Sequence, residues 1–248
     1  MAKKNINTTI NYSPNFDLKK RKFKQIKFLI FHYTGMKKEK DAITRLTSEK
    51  SKVSCHYFIK NNGEILLLVP DLYIAWHAGI SSWKNYKNIN KYSIGIEISN
   101  PGHDYKYKNF SSKQINSVLK LSKYLVHRYK INSKFVLGHS DIAPERKKDP
   151  GEKFPWSYLS KKKISISCNL NQKKLLQNRN IRVNDLEKKI FFKNLHKIGY
   201  QKKSMMENNN YSNILIKAFQ RRFRQKLVNG KIDKECLIIS NNISRRYK

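Results

Sequence analysis

The apolar positions in the first two thirds of the chain fall into short runs that predict strands. Lys27–Tyr33 is largely apolar and predicts a buried strand. Val53–Lys60 and Glu64–Val69 flank Asn62-Gly63, a pair that tolerates positive φ, so these runs predict a β-hairpin. Further β-rich runs, which complete the predicted sheet, are Ser93–Ser99 and Lys134–Leu137.

Helical spacing of apolar residues appears between these runs. Lys40–Lys50 predicts one helix, and a clearer one begins near Ser111, which is followed three residues later by Gln114 as in a capping box. The apolar positions predicted to share one face of this helix are Ile115, Val118, Leu119, Leu125, Val126 and Tyr129. Strands and helices together predict an α/β fold with a mixed central sheet flanked by helices.

The pattern changes after Trp156. Ser160–Asn180 is rich in lysine and asparagine with little periodicity and is interpreted as a linker. Two helical stripes follow, the first ending at Gly199, and Asp233 is a candidate cap of a last short helix behind the turn at Asn229-Gly230. The predicted stripes are Leu186, Ile190, Leu195 and Ile198, then Ile214, Leu215, Ala218, Phe219 and Phe223.

These changes divide the chain into four parts. Residues 1–22 form a polar basic arm and residues 23–160 a first domain. Residues 161–182 form the linker, and residues 183–248 form a small three-helix domain. A chain of 248 residues, of which 39% are hydrophobic, is sufficient for such a large and a small folded unit.

The charge adds a second class of partner to consider. The chain has 53 basic and 17 acidic residues, a formal net charge of +36, which favours binding to anionic polymers. The lysines are spread along the whole chain, so the charge could equally be compositional. No nucleic-acid motif or concentrated basic stripe accompanies it, and we expect no specific nucleic-acid partner.

Other sequence features narrow the class further. Three widely spaced cysteines without a CxxC pair predict neither a disulfide framework nor a cysteine metal site, and Cys55 is interpreted as a small core residue. The chain has no run long and apolar enough for a transmembrane helix. Its first 25 residues lack the apolar segment of a secretory signal.

The most informative segment is the loop Gly138–Gly151, with the sequence GHSDIAPERKKDPG. It contains His139 and Asp149, side chains that Zn²⁺ accepts as ligands, and Lys147 lies two residues before the aspartate. His32, in the first predicted strand, is a candidate third ligand. Two imidazoles and one carboxylate leave a fourth position for water, as in a catalytic zinc site.

At this point the chain resembles the zinc-dependent N-acetylmuramoyl-L-alanine amidases, the superfamily that includes phage lysozyme-like amidases and peptidoglycan recognition proteins. The resemblance covers roughly residues 23–160. It rests on the loop above together with FHYT around His32, SIGIEI around Glu97, VSCHYFI from Val53 and AWHAG from Ala75.

The resemblance implies a zinc hydrolase of the amide between N-acetylmuramic acid and L-alanine. His32, His139 and Asp149 would be the metal ligands, and Glu97 the general base. Alternation along its strand places Glu97 opposite the isoleucines, facing either a cleft or solvent. Lys147 would stabilise the oxyanion, with the adjacent Arg146 and Lys148 as alternatives.

The remaining candidates concern the substrate and other histidines. Trp76, His77 and Asn100 are predicted substrate contacts, and His56 is interpreted as a structural histidine. His127 is interpreted as a surface residue of its helix. The sequence does not identify the groups that orient the metal-binding imidazoles.

The C-terminal part resembles, more loosely, a three-helix peptidoglycan-binding domain through Ala218–Phe223 and Asn229–Asp233; the alternative is a helical appendage that packs on the first domain. The expected partners are peptidoglycan or muropeptides, and a non-catalytic binding protein is the main rival function. A polymer-binding module favours the cell envelope or periplasm, while the absence of a signal segment favours the cytoplasm. The oligomeric state stays open.

Overall fold

The computed structural model describes residues 6–202 and 209–247, so residues 1–5 of the predicted arm and residues 203–208 and 248 of the predicted C-terminal domain lie outside the described part. The predicted fold class is confirmed: a mixed six-stranded sheet is flanked by helices. The described strands are β1 (Thr9–Ile10), β2 (Phe16–Asp17), β3 (Phe28–Tyr33), β4 (Tyr57–Ile59), β5 (Ile65–Leu67), β6 (Ile74–Ala75), β7 (Ser82–Trp83), β8 (Tyr86–Lys87), β9 (Ser93–Ile98) and β10 (Val136–Gly138).

The described helices include the short and long elements that the pattern predicted. They are α1 (Glu39–Thr47), α2 (Ser112–Tyr129), α3 (His139–Ile142), α4 (Trp156–Lys161), α5 (Gln172–Gln177), α6 (Asp185–Ile198), α7 (Asn209–Phe223) and α8 (Lys234–Ser244). The capping box of Ser111 and Gln114 is present, and the Asp233 side chain accepts from the Cys236 N–H. Both predicted helix starts are therefore confirmed.

The order of strands brings three parallel strand ends to one edge of the sheet. The order is β1-β5-β4-β9-β3-β10, in which β4, β9, β3 and β10 run parallel and β5 is antiparallel to β4. In register, His32 lies opposite Glu97, and Gly138 lies opposite Phe31. His139 thus leaves β10 level with His32, at the carboxyl edge where sites in such sheets are commonly built.

One face of the sheet packs on α2. Ile94, Ile96 and Ile98 of β9 are fully buried there, together with Leu29 and Phe31 of β3. The residues of α2 that bury against them include Val118, Leu121 and Leu125, which recur at helical spacing. Since alternate residues of a strand point to opposite faces, Glu97 and His32 lie on the other face.

That other face is divided between a second core and a cavity. Phe28, Ile30 and Leu137 of the sheet share one hydrophobic cluster with the helices α6, α7 and α8, which we call the helical unit. Phe191 and Phe219 of the helical unit are fully buried in this cluster. The helical unit therefore covers the part of this face around Phe28, Ile30 and Leu137. The cavity described below borders the carboxyl edge.

The apolar stripe of α6 differs from the prediction. Phe191, Leu195 and Ile198 form the buried face, whereas Leu186 is 67% exposed and Ile190 37% exposed. The physical reason is the five-residue step from position 190 to 195, which turns a helix by about 140° beyond a full turn. The i, i+4, i+7 set that begins at Phe191 stays on one side. The predicted end at Gly199 is confirmed, with φ of 143°.

Two segments predicted to lack regular structure contain short helices. His139–Ile142 of the predicted loop forms the single helical turn α3, in which the Ala143 N–H donates to the His139 carbonyl. The stretch interpreted as a linker contains α5, capped by the Asn171 side chain. Both elements are too short for a periodic apolar pattern to reveal them.

The N-terminal segment packs along the sheet. β1 adds a parallel edge strand to β5, and β2 pairs with β6. Within residues 6–202 and 209–247, no helix is long and apolar enough to cross a bilayer.

Candidate active site

Four acidic and imidazole side chains meet at the carboxyl edge of β3, β9 and β10. His32 and Glu97 lie side by side on neighbouring strands, on the face opposite α2. His139 begins α3 directly after β10, and Asp149 returns to it from the far end of the loop. The Ser140 N–H donates to the Asp149 carbonyl at 2.8 Å, which closes this loop on itself.

The three predicted metal ligands converge. His32 Nδ1 lies 2.9 Å from His139 Nδ1 and 3.0 Å from Asp149 Oδ2, and His139 Nδ1 lies 3.1 Å from the same oxygen. All three residues are buried. They form a group that could hold a metal ion.

The proton on His139 is fixed by its other ring nitrogen. Nε2 lies 3.1 Å from the Ala78 carbonyl oxygen, which can only accept, so Nε2 carries the hydrogen. In the neutral imidazole, Nδ1 then presents a lone pair to the group. The Ala78 carbonyl thus orients the ring for metal binding.

The proton on His32 follows from a chain of hydrogen bonds. Ser93 Oγ donates to the Ile89 carbonyl at 2.7 Å, so it accepts from His77 Nε2 at 3.0 Å. His77 Nδ1 is then the acceptor for His32 Nε2–H, 3.0 Å away. His32 Nδ1 therefore also presents a lone pair.

Three lone-pair atoms that face one another form a set of ligand atoms suited to a cation. Zinc–nitrogen and zinc–oxygen bonds are about 2.0–2.2 Å, and three atoms about 3 Å apart can all lie at that distance from one point. Burial lowers the pKa of His32 to about 4, which keeps its ring neutral. The site fits a divalent metal.

Glu97 is a carboxylate with an unusual environment. Its Oε2 is inaccessible to solvent and has no hydrogen-bond partner among the described residues. Burial, aided by the charge of Asp149, raises the pKa of Glu97 to about 8, while Lys147 and Arg45 oppose the rise. A carboxylate with a pKa close to neutrality is suited to taking and returning a proton.

A cavity of about 400 Å³ opens beside these groups and has Glu97, His139, Lys147 and Asp149 in its wall. Lys147 is half-buried there, whereas Lys148 is exposed. Arg146 also borders the cavity, but its Nη2 donates to the carbonyls of Ala78 and Ile80. Of the three basic neighbours, Arg146 is thus held by the protein itself.

The predicted substrate contacts occupy different environments. Trp76 borders the cavity and donates through Nε1 to Asp17. His77 borders it too, but both of its ring nitrogens have partners in the protein. Asn100 is buried, and its side chain donates to the Lys108 carbonyl and accepts from the Gly102 N–H.

The orienting role of the segment His77-Ala78 was not identified from the sequence. The His77 ring orients His32, the Ala78 carbonyl orients His139, and Asn90 Oδ1 accepts from both backbone N–H groups. Gly95 packs against the His77 ring and must lack a side chain, because a Cβ there would overlap that ring. The AWHAG motif was the available signal, but its contacts span distant parts of the chain.

The structural interpretation of three other residues is confirmed. His56 is buried, accepts from the Gly95 N–H and contacts the Tyr73 carbonyl through Nε2. Cys55 is a fully buried core residue. His127 is exposed on α2.

Comparison with known proteins agrees with this geometry. A family model described as N-acetylmuramoyl-L-alanine amidase matches residues 22–152. The chain is 32% identical over 237 residues to N-acetylmuramoyl-L-alanine amidase AmiD of Escherichia coli, covering 91% of this chain and 84% of AmiD. It is 39% identical over 106 residues to 1,6-anhydro-N-acetylmuramyl-L-alanine amidase AmpD of Citrobacter freundii, covering 43% of this chain and 54% of AmpD.

Solved structures extend the similarity to the helical unit. AmiD from E. coli, in complex with anhydro-N-acetylmuramic acid-L-Ala-D-gamma-Glu-L-Lys, superposes with a TM-score of 0.79 at 33% identity over 90% of both chains. AmpDh3 from Pseudomonas aeruginosa gives 0.79 at 28% identity over 100% of this chain and 99% of that one. On the family model and the similarity to AmiD, the chain belongs to the N-acetylmuramoyl-L-alanine amidase family.

Proposed function

We propose that this protein is a zinc enzyme that hydrolyses the amide between the lactyl group of N-acetylmuramic acid and L-alanine. The observation that carries the proposal is the convergence of three proton-free ligand atoms, on His32, His139 and Asp149, near Glu97, whose Oε2 has no hydrogen-bond partner among the described residues. Such a set, with two imidazoles and one carboxylate, is typical of catalytic zinc sites.

The metal and the general base have separate tasks. Zinc, when bound by the three ligands, lowers the pKa of a water molecule and polarises the scissile carbonyl. Glu97 takes the proton of the attacking water and delivers it to the departing nitrogen of L-alanine. Its raised pKa, about 8, makes Glu97 a stronger base for the first transfer than an exposed glutamate.

Lys147 is the proposed oxyanion donor. It borders the same cavity as Glu97 and His139, and its charge lowers the pKa of Glu97, which supports a position close to the reacting groups. A preorganised positive donor stabilises the negative oxygen that develops when water adds to the carbonyl. The proposed substrate contacts are Trp76 and His77 at the cavity, with Asn100 behind the end of β9.

Small muropeptides with a 1,6-anhydro ring are the proposed soluble substrates. AmiD was solved with an anhydro-N-acetylmuramic acid tripeptide as its named substrate, and AmpD carries the anhydro sugar in its name. Residues 183–248 are proposed to act as a peptidoglycan-binding-like domain that adds affinity for polymer. This second proposal rests on the sequence resemblance at Ala218–Phe223 and Asn229–Asp233.

The experiment is mass-spectrometric product analysis with the zinc-loaded protein. It is incubated separately with purified peptidoglycan and with an anhydromuropeptide, each with a chelator control. Release of stem peptides that begin with L-alanine, abolished by the chelator, is the expected result. Binding of cell wall without release of peptide would indicate a recognition protein and overturn the catalytic roles.

A further inference from the structure

Asp141 is a buried carboxylate in the metal-binding loop, which we define as residues 138–151, and it is not one of the metal ligands. It lies in α3, two residues after His139, and is 2% exposed. Its Oδ2 accepts from the Gly138 N–H at 2.8 Å, and its Oδ1 accepts from Tyr200 Oη at 2.7 Å. A buried carboxylate depends on such donors, because water cannot replace them.

Tyr200 comes from the far end of the sequence. It follows Gly199, which ends α6, and is itself only 2% exposed. Its ring lies 4.9 Å from the ring of Trp83, and the Gly199 carbonyl accepts from the Lys84 N–H at 2.8 Å. The Trp83 ring and the backbone hydrogen bond of Gly199 therefore fix the position from which the Tyr200 hydroxyl donates to Asp141.

The helical unit also contacts the chain just before the metal-binding loop. Arg222 Nη2 donates to the Val136 carbonyl at 2.8 Å, and its guanidinium lies 3.4 Å from the centre of the Trp156 ring. Arg222 is 3% exposed, so this contact is part of the interior. It fixes the last strand before the loop.

A third contact fixes the chain just after the loop. Gln225 Nε2 donates to the carbonyls of Glu152 and Phe154, at 2.5 and 2.7 Å. The loop is thus held at its start by Arg222, within α3 by Tyr200 and at its end by Gln225. Of these contacts, only the one from Tyr200 lies within the metal-binding loop itself.

We infer that Tyr200 is a positioning residue of the metal centre, which it aligns through Asp141 and α3. The inference rests on the proposed function, since it concerns the same zinc site. The helical unit then has a task within the active site, in addition to any binding of polymer. Loss of the Tyr200 hydroxyl leaves the Asp141 carboxylate with a single donor, and α3 relaxes together with His139.

The test is Tyr200→Phe in the full-length protein, with zinc affinity measured by competition against a chromophoric chelator. Groups behind metal ligands typically change affinity by about 10–100-fold, and we expect a loss in this range together with a lower kcat and little change in KM. Tyr247→Phe is the matched control. Tyr247 is also buried and donates to the Lys134 carbonyl at 3.2 Å, outside the loop, so its loss should leave zinc affinity unchanged.

Asp141→Asn gives a second, independent variant. It should also weaken zinc binding, and the double variant with Tyr200→Phe should lose less than the sum of the two effects, because both act through one contact. Wild-type protein that binds zinc, combined with a Tyr200→Phe variant within twofold of its affinity, would overturn the inference alone. Wild-type protein that neither binds zinc nor loses activity in chelator would overturn the proposed function, and the inference with it.

Discussion

The active site has a strand-borne half and a loop-borne half that are held in different ways. His32 and Glu97 lie opposite each other in the β3–β9 ladder, where every residue of both strands is paired. His139, Lys147 and Asp149 lie on a loop whose position depends on contacts with segments distant in the sequence. The backbone of the first half is fixed by the strand ladder, whereas that of the second depends mainly on hydrogen bonds from segments outside the sheet.

This difference locates the residues on which each half depends. A parallel ladder positions a side chain wherever the strand forms, since register and face are set by the backbone. A loop has no such rule, and α3 is held by the Ala78 carbonyl and by Tyr200. We therefore expect Tyr200, outside the loop, to affect the loop-borne half, while in the strand-borne half the ladder sets the position of His32 and a distant residue, His77, sets only the direction of its ring.

The largest expected effect tests the strand-borne half. Glu97→Gln removes the proposed base without changing its size, and turnover should fall by about 10²–10⁴-fold, while zinc affinity stays the same. The measurements are kcat/KM on an anhydromuropeptide and zinc competition. Glu49→Gln, an exposed position on the surface, is the control. An active Glu97→Gln protein would remove Glu97 from the mechanism.

The next effect tests the loop-borne half. Lys147→Gln should lower kcat by about 10²–10³-fold through loss of the oxyanion donor. Because Lys147 lowers the pKa of Glu97, its removal should also move the acidic limb of the pH–rate profile to higher pH. A full pH profile of kcat/KM measures both. If Lys148→Gln gives the larger loss and the upward shift, the role belongs to Lys148.

A smaller effect is expected from the residue that orients the His32 ring. His77→Ala removes the acceptor that holds His32, and zinc affinity should fall by about 10–100-fold. Gly95→Ala should act in the same direction, since its Cβ would displace the His77 ring. His127→Ala on the surface is the control in the same zinc competition assay. A higher KM at unchanged zinc affinity would instead support His77 as a substrate contact.

The smallest effect concerns the pH dependence of protein stability, to which His56, a buried histidine next to β9, contributes. Burial beside Arg21 holds the pKa of His56 well below 6.5 in the folded state, so only the unfolded chain takes up its proton as the pH falls. The free energy of unfolding should therefore decrease below about pH 6.5, by up to about 1.4 kcal/mol per pH unit for this histidine, and show no such dependence above about pH 7.5. Denaturant unfolding between pH 5 and 8 measures the slope. His56→Gln should reduce the slope without abolishing it, because the pKa values of His32 and His77 are also lowered by burial. An identical slope in that variant would contradict the assignment.

The sequence was most reliable where its signals were local. The strand around His32, the capping box at Ser111 and the cap at Asp233 are present as predicted, because each depends on residues a few positions apart. The prediction for the apolar stripe of α6 was wrong at Leu186 and Ile190. The apolar residues of this helix lie on two different faces, and packing against α8 buries only one of them.

The candidate site divides along the same line. The identities of His32, His139 and Asp149 came from residue chemistry and from family resemblance, and the structure brings these three together. The direction of each imidazole did not follow from the sequence, since it depends on His77 and Ala78, which lie 45 and 61 residues away from their partners. Contacts at such separations leave no periodic signal in the chain.

The sequence by itself determined the main strands and the long helices, which face of β9 carries Glu97, and which side chains are able to bind a metal. Backbone hydrogen bonding and side-chain chemistry act locally, so these properties can be read from neighbouring residues. Only the tertiary structure decided that the rings of His32 and His139 both present lone pairs to Asp149, and that Tyr200 of the helical unit reaches Asp141. Those arrangements depend on packing between elements distant along the chain, and packing is a property of the folded whole.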